Sequence, residues 1–205
     1  MKKQVFVIHG GDTFRSYEDY FNSLKAQQID LESMLTKGWK SALGERLGEE
    51  YQVIAPRMPN SLNAQYPEWK LWFEKILPLL NEEIILVGHS LGGTFLAKYL
   101  STEKVAKKIR GIFLVAPPYD ESGTDREPRE YLGDFLPPKD LSLLQKQAEE
   151  IFLYHSQDDG IVPFSSLSDY KQALPQAKAR EFSDRGHFLQ EDFPELTQDI
   201  LSLSR

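Results

Sequence analysis

A serine with a glycine two residues to either side, Gly88-His89-Ser90-Leu91-Gly92, is the segment of this chain best suited to chemistry. It follows the apolar run Ile84-Ile85-Leu86-Val87 and precedes a helical pattern from Leu91 to Leu100. Gly-x-Ser-x-Gly between strand and helix marks a nucleophile elbow, a turn so sharp that the central serine is held in a strained backbone conformation. A side chain at either glycine would collide with the neighbouring strand or helix as the chain reverses. The serine hydroxyl then stands clear of the sheet and can attack a carbonyl carbon to form an acyl-enzyme. The plainer reading of Ser90 is a cap for the next helix.

An attacking serine needs a base and an orienting acid, in the chain order Ser, Asp or Glu, His. The apolar run Ile151-Phe152-Leu153-Tyr154-His155 leads into Ser156-Gln157-Asp158-Asp159-Gly160-Ile161-Val162-Pro163. The short run Ala179-Arg180-Glu181-Phe182 leads into Ser183-Asp184-Arg185-Gly186-His187. Catalytic groups of parallel α/β sheets collect on loops at the carboxyl ends of strands. Ser90, His187 and either Asp158 or Asp159 all fall on such ends, with His187 as general base. The other histidines compete poorly. His9 ends the first strand and braces the next loop, His89 lies beside Ser90 where adjacent side chains diverge, and His155 sits in or just past the sheet. The oxyanion hole should pair the backbone N–H of Leu91 with one from His9-Gly10-Gly11, namely that of Gly11, with Asp12 as substitute donor.

The elbow, the Asp158–Pro163 segment and Gly186-His187 together resemble the α/β-hydrolase superfamily. The short chain is similar to its small, nearly lidless branch, the serine hydrolases typified by retinoblastoma-binding protein 9. The resemblance runs from Val5 to Leu203. It implies an acid four residues before Pro163, hence Asp159 with Asp158 as rival. It also implies an α/β three-layer sandwich: a mostly parallel six-stranded sheet in the order 2-1-3-4-5-6, helices on both faces and a minimal cap. One departure is plain. The cysteine-containing Leu-x-Cys-x-Glu segment tied to retinoblastoma binding cannot exist in a chain without cysteine, so that partner role does not carry over and a protein partner stays open.

The elements that must position these residues can be read from periodicity. Six strands are expected, at Gln4–His9, Tyr51–Ala55, Glu83–Gly88, Ile109–Val115, Glu150–His155 and Lys178–Phe182, alternating with helices. Leu91, Phe95, Leu96, Tyr99 and Leu100 share one helical face, Leu196, Ile200 and Leu203 another, and Trp69, Trp72, Phe73 and Ile76 a third. Two segments exceed what the sheet requires. Residues 12–30 carry Phe14, Tyr17, Phe21 and Leu24 at helical spacing, so an extra helix is expected above the active edge. Residues 117–138, rich in Pro, Asp, Glu and Gly, could form a flap. Phe14, Tyr119, Tyr131, Phe135 and Leu136 on these segments are the candidates for a substrate pocket.

At 205 residues, 40% apolar and 27% charged, the chain reads as one globular domain spanning residues 1–205. A net charge of −7 disfavours nucleic acid or an anionic membrane as partner. The cluster Lys104, Lys107, Lys108, Arg110 reads as a solvated helix end. The apolar run after Met1-Lys2-Lys3 spans only Val5 to Ile8, shorter than a signal peptide needs, so the cytoplasm is expected. Zinc, phosphate-loop and dinucleotide motifs are missing, and adjacent carboxylates such as Asp158 and Asp159 lack the facing geometry of glycoside hydrolysis. The sequence therefore points to a carboxylesterase-like serine hydrolase with no metal or organic cofactor. It would act on a small-molecule acyl substrate, an ester, thioester or amide; an acyltransferase would use the same residues. The rival reading is a binding or scaffold protein that keeps the fold without useful turnover.

Overall fold

In β1 (Lys3–Ile8), Val5 and Val7 point into one apolar layer and Phe6 and Ile8 into another. The same alternation recurs in β3 (Glu83–His89), β4 (Lys108–Val115) and β5 (Ile151–Ser156). A strand sends successive side chains to opposite faces, so continuous apolar runs demand cover on both sides. The computed structural model, which describes residues 2–35, 37–121 and 131–203, supplies that cover. Six strands, completed by β2 (Tyr51–Ile54) and β6 (Lys178–Phe182), form an all-parallel sheet in the order β2-β1-β3-β4-β5-β6. This is the α/β-hydrolase architecture expected above.

Helices α3 (Trp39–Leu47) and α8 (Pro194–Ser202) cover the Val5 face through Trp39, Leu43, Leu196 and Ile200. The opposite face is covered by α4 (Tyr66–Ile76), α5 (Leu91–Thr102), α6 (Ser142–Gln147) and α7 (Ser165–Ala173). The expected helical face of α5 is buried as read; in α8, Leu196 and Ile200 are buried but Leu203, just past the helix end, is only partly so; in α4, Trp69 and Phe73 are buried but Trp72 is exposed. The extra helix is present as α1 (Tyr17–Ala26), started by the Ser16 hydroxyl, which accepts the Asp19 amide at 3.1 Å. Its apolar face is not buried: Tyr17 is 71% exposed and Phe21 46%. A five-residue helix, α2 (Leu31–Leu35), follows. In the flap segment, residues 122–130 lie outside the described residues, while Leu132 and Phe135 are buried. The basic cluster requires correction. Lys108 and Arg110 lie on β4, and Lys107, Lys108 and Arg110 pair with Glu82, Glu83 and Glu149 at 2.9–3.2 Å along the amino ends of the strands.

One polar group anchors α8. Asp199, buried at 5% exposure, accepts the Tyr154 hydroxyl at 2.6 Å and the Arg180 Nε–H at 2.6 Å, joining α8 to β5 and β6. Burial pushes the Tyr154 phenol far up, so it stays a donor. Asp199→Ala leaves that hydroxyl without an acceptor, whereas the half-exposed Arg180 can turn to water. The expected cost is about 1–3 kcal/mol in urea unfolding, with activity unchanged under native conditions.

Candidate active site

The turn after β3 has the geometry that its residues dictate. Ser90 adopts φ 54°, ψ −126°, a region that disfavours L side chains and that the surrounding structure must hold in place. A Cβ on Gly88 would sit 2.5 Å from the Gly92 carbonyl oxygen, and one on Gly92 would strike the carbonyl oxygens of Ile8 and His9. Only glycine lets α5 pass this close to β1 and β3. The Ser90 amide donates to Val115 O at 2.8 Å, tying the elbow to the carboxyl end of β4.

The loop after β5 turns two adjacent carboxylates in different directions. Asp159, with a fully buried side chain, accepts the amides of Ile161 at 2.8 Å and Val162 at 3.0 Å through Oδ1. Its Oδ2 accepts His187 Nδ1–H at 2.8 Å. Asp158 accepts the Ser156 hydroxyl and the Gly186 amide, at 2.9 Å for the latter; the Ser156 bond first, and then the Gly186 bond, holds its carboxyl below the usual range. Asp159 therefore faces the histidine ring, and Asp158 fastens the histidine's loop. With Nδ1 protonated toward Asp159, His187 Nε2 carries a lone pair. Among the described residues no hydrogen bond joins Ser90 Oγ to His187, a contact that commonly tightens only with substrate bound.

The first-strand loop lies against the elbow. A Cβ on Gly10 would lie 3.1 Å from Ser90 Cβ, and one on Gly11 would lie 2.7 Å from Ser61 O and 3.4 Å from Leu91 Cδ2. Among the described residues no hydrogen bond engages the amides of Gly11 and Leu91, so both remain available as donors. Asp12 does not: its amide donates to Ser61 O at 2.8 Å, which removes it as the substitute. His9 braces this loop, donating from Nδ1 to Gly10 O and accepting the Met58 amide on Nε2 at 2.9 Å.

Among the described residues the expected pocket positions differ in burial and in partners. Phe135 is corrected: at 1% exposure it is a core residue, its ring 5.2 Å from that of Trp69 and 5.6 Å from that of Tyr66. Tyr119 packs edge-on against Tyr170 at 4.9 Å. Phe14 is half-buried against Tyr20, Tyr131 lies beneath the Arg15 guanidinium with its carbonyl held by the Thr13 hydroxyl, and Leu136 is partly exposed. A hollow of about 990 Å³ beside the oxyanion loop is bounded by His9, Tyr17, Tyr20, Arg57, Met58 and Leu62. Met58 and Arg57 lie in the loop after β2, where no sequence pattern marked them.

Sequence reasoning also passed over His89 and Lys40. His89 Nε2 lies 2.8 Å from His187 O, and Lys40 Nζ lies 3.0 Å from His89 Nδ1. Burial pulls His89 well below the ordinary histidine range and Lys40 down to about 8. His155 donates to Val162 O at 3.1 Å and is likewise lowered by burial, as is His9. An unfolded histidine titrates near 6.5, so between that value and the lower folded values the unfolded chain binds more protons. The stability these three groups contribute is complete above pH 6.5 and is lost as pH falls. Thermal unfolding followed by circular dichroism should show the melting temperature dropping between pH 7 and 5.5, before most carboxylates titrate.

Among the described residues no group of three or more His, Cys, Asp or Glu side chains is placed to hold a metal ion, and no helix is long and apolar enough to cross a membrane. A family model described as serine hydrolase matches residues 32–199. The rat (Rattus norvegicus) protein serine hydrolase RBBP9 is 27% identical over 170 residues, covering 82% of this chain and 87% of that one. The putative hydrolase YdeN of Bacillus subtilis (strain 168) is 28% identical over 194 residues, covering 94% and 89%. The crystal structure of the B. subtilis ydeN gene product superposes with a TM-score of 0.76 at 24% identity, over 99% of each chain.

Proposed function

This chain belongs to the serine hydrolase family, and from that membership we propose that it cleaves small carboxylic esters, thioesters or amides through an acyl-enzyme on Ser90. His187 takes the Ser90 proton as the hydroxyl attacks the carbonyl carbon, then returns it to the leaving group. Asp159 keeps the ring in the tautomer that leaves Nε2 free and stabilises the imidazolium that forms. The amides of Gly11 and Leu91 take the negative charge of the tetrahedral intermediate. Water, activated by the same histidine, releases the acid and restores Ser90. What supports this reading above all is the 2.8 Å bond from His187 Nδ1 to Asp159, on the loop facing a strained serine elbow.

The hollow beside the oxyanion loop would take the substrate's variable part, between Tyr17, Tyr20 and Met58. Because it opens to solvent, each added methylene gains little, and short acyl chains are favoured; a strong preference for long chains among p-nitrophenyl esters would refute this. The function itself is tested with a fluorophosphonate probe on purified protein, with the modified peptide identified by mass. Labelling on Ser90 supports an activated nucleophile. A folded protein that stays unlabelled overturns the reading. The exposed aromatic face of α1 favours the rival, a binding protein that turns nothing over, and it would then take the lead.

A further inference from the structure

His187 is held at its backbone as well as its ring, and the backbone hold comes from a side chain inside the serine motif. Four anchors grip the loop after β6. Ser156 Oγ accepts the Arg185 amide at 3.0 Å, Asp158 accepts the Gly186 amide, His89 meets His187 O, and Trp39 Nε1 donates to Phe188 O at 2.9 Å. Phe188 itself is buried at φ 54°, a conformation that persists only when its surroundings impose it.

We propose that Lys40 and His89 form a positioning relay for His187, in which Lys40 fixes the tautomer of His89 and His89 fixes the height of the His187 backbone. The chemistry is directional. An ammonium only donates, so the 3.0 Å contact makes His89 Nδ1 an acceptor. A neutral imidazole then carries its proton on Nε2, which faces His187 O at 2.8 Å and donates to it. The reversed tautomer would set a lone pair against that carbonyl. Burial keeps His89 neutral, and the Lys40 ammonium lies 5.0 Å over the Trp39 ring, with no carboxylate partner among the described residues. The His89 and His187 rings lie 4.9 Å apart, so a displaced carbonyl moves the base itself.

This inference rests on the hydrolase reading, and it is tested with p-nitrophenyl acetate kinetics beside fluorophosphonate labelling. His89→Leu should lower kcat about 10- to 100-fold, the loss expected of a base displaced by about 1 Å, while KM stays near the wild-type value. His89→Gln, whose amide can still donate to His187 O, should recover much of that loss. In long-range ¹H–¹⁵N spectra the wild-type His89 should be the Nε2–H tautomer, and Lys40→Met should convert it to a mixture and lower kcat. Wild-type kcat in His89→Leu overturns the relay, as does Gln failing to rescue or an Nδ1–H tautomer in the wild type. Should the Leu variant not fold, the Gln and Met variants decide. A wild type that neither labels nor turns over ester overturns the hydrolase reading and the relay together; a labelled wild type with an unaffected His89→Leu overturns the relay alone.

Discussion

Ser90→Ala is expected to lower kcat/KM for a short-chain ester by about 10⁶-fold and to abolish fluorophosphonate labelling. Removing the nucleophile of a triad costs about that much, because base and acid have nothing to activate and only the oxyanion donors and substrate binding remain. The fold should be unharmed. Alanine keeps the Cβ that serine already carries at φ 54°, so the turn is as strained as before, and the Val115 bond is made by backbone. Matching far-UV circular dichroism and urea midpoints would assign the loss to chemistry. Activity within tenfold of wild type would mean that another group attacks.

The second large effect separates neighbours. Asp159→Asn should cost about 10⁴-fold in kcat, the scale seen when a triad acid becomes an amide, and Asp158→Asn no more than a few-fold. Asparagine at 159 can still accept the Ile161 and Val162 amides through its oxygen, which leaves its NH₂ toward His187 Nδ1. The ring must then carry its proton on Nε2, where it can no longer accept one from Ser90. Asparagine at 158 can still accept the Gly186 amide, so the loop stays fastened. Equal losses at the two positions would contradict these roles.

The Asp158–Asp159 choice shows where the residues alone stop, since Asp159 is favoured only through the family resemblance. Two adjacent carboxylates on one turn have the same composition, and only the amides of Ile161 and Val162 turn Asp159 toward the histidine. The strands were legible to within a residue or two, because a sheet covered on both faces needs unbroken apolar runs. The elbow was legible because close backbone approach excludes every side chain at Gly88 and Gly92. Phe135 was not: an aromatic in a Pro- and Gly-rich segment gives no sign that Trp69 and Tyr66 close around it. The same holds for Lys40, whose partner is 49 residues away and which no periodic pattern marks. For α1, the spacing announced the helix, but periodicity alone says nothing of whether a neighbour exists to cover its face.

The placement of β6 bears on how activity is lost when the protein is stressed. It is an edge strand, half-exposed along its length, and it carries the loop bearing His187. Ser90 hangs instead from β3, in the middle of the sheet. Edges open at lower free energy than centres, so an excursion that frees β6 and α8 parts His187 from Asp159, 28 residues earlier in the chain, while most of the sheet remains formed. Turnover then becomes a gauge of the least protected margin of the molecule. The Arg180–Asp199 clasp, remote from the reacting atoms, then matters to activity only under stress, where it sets how readily this margin parts.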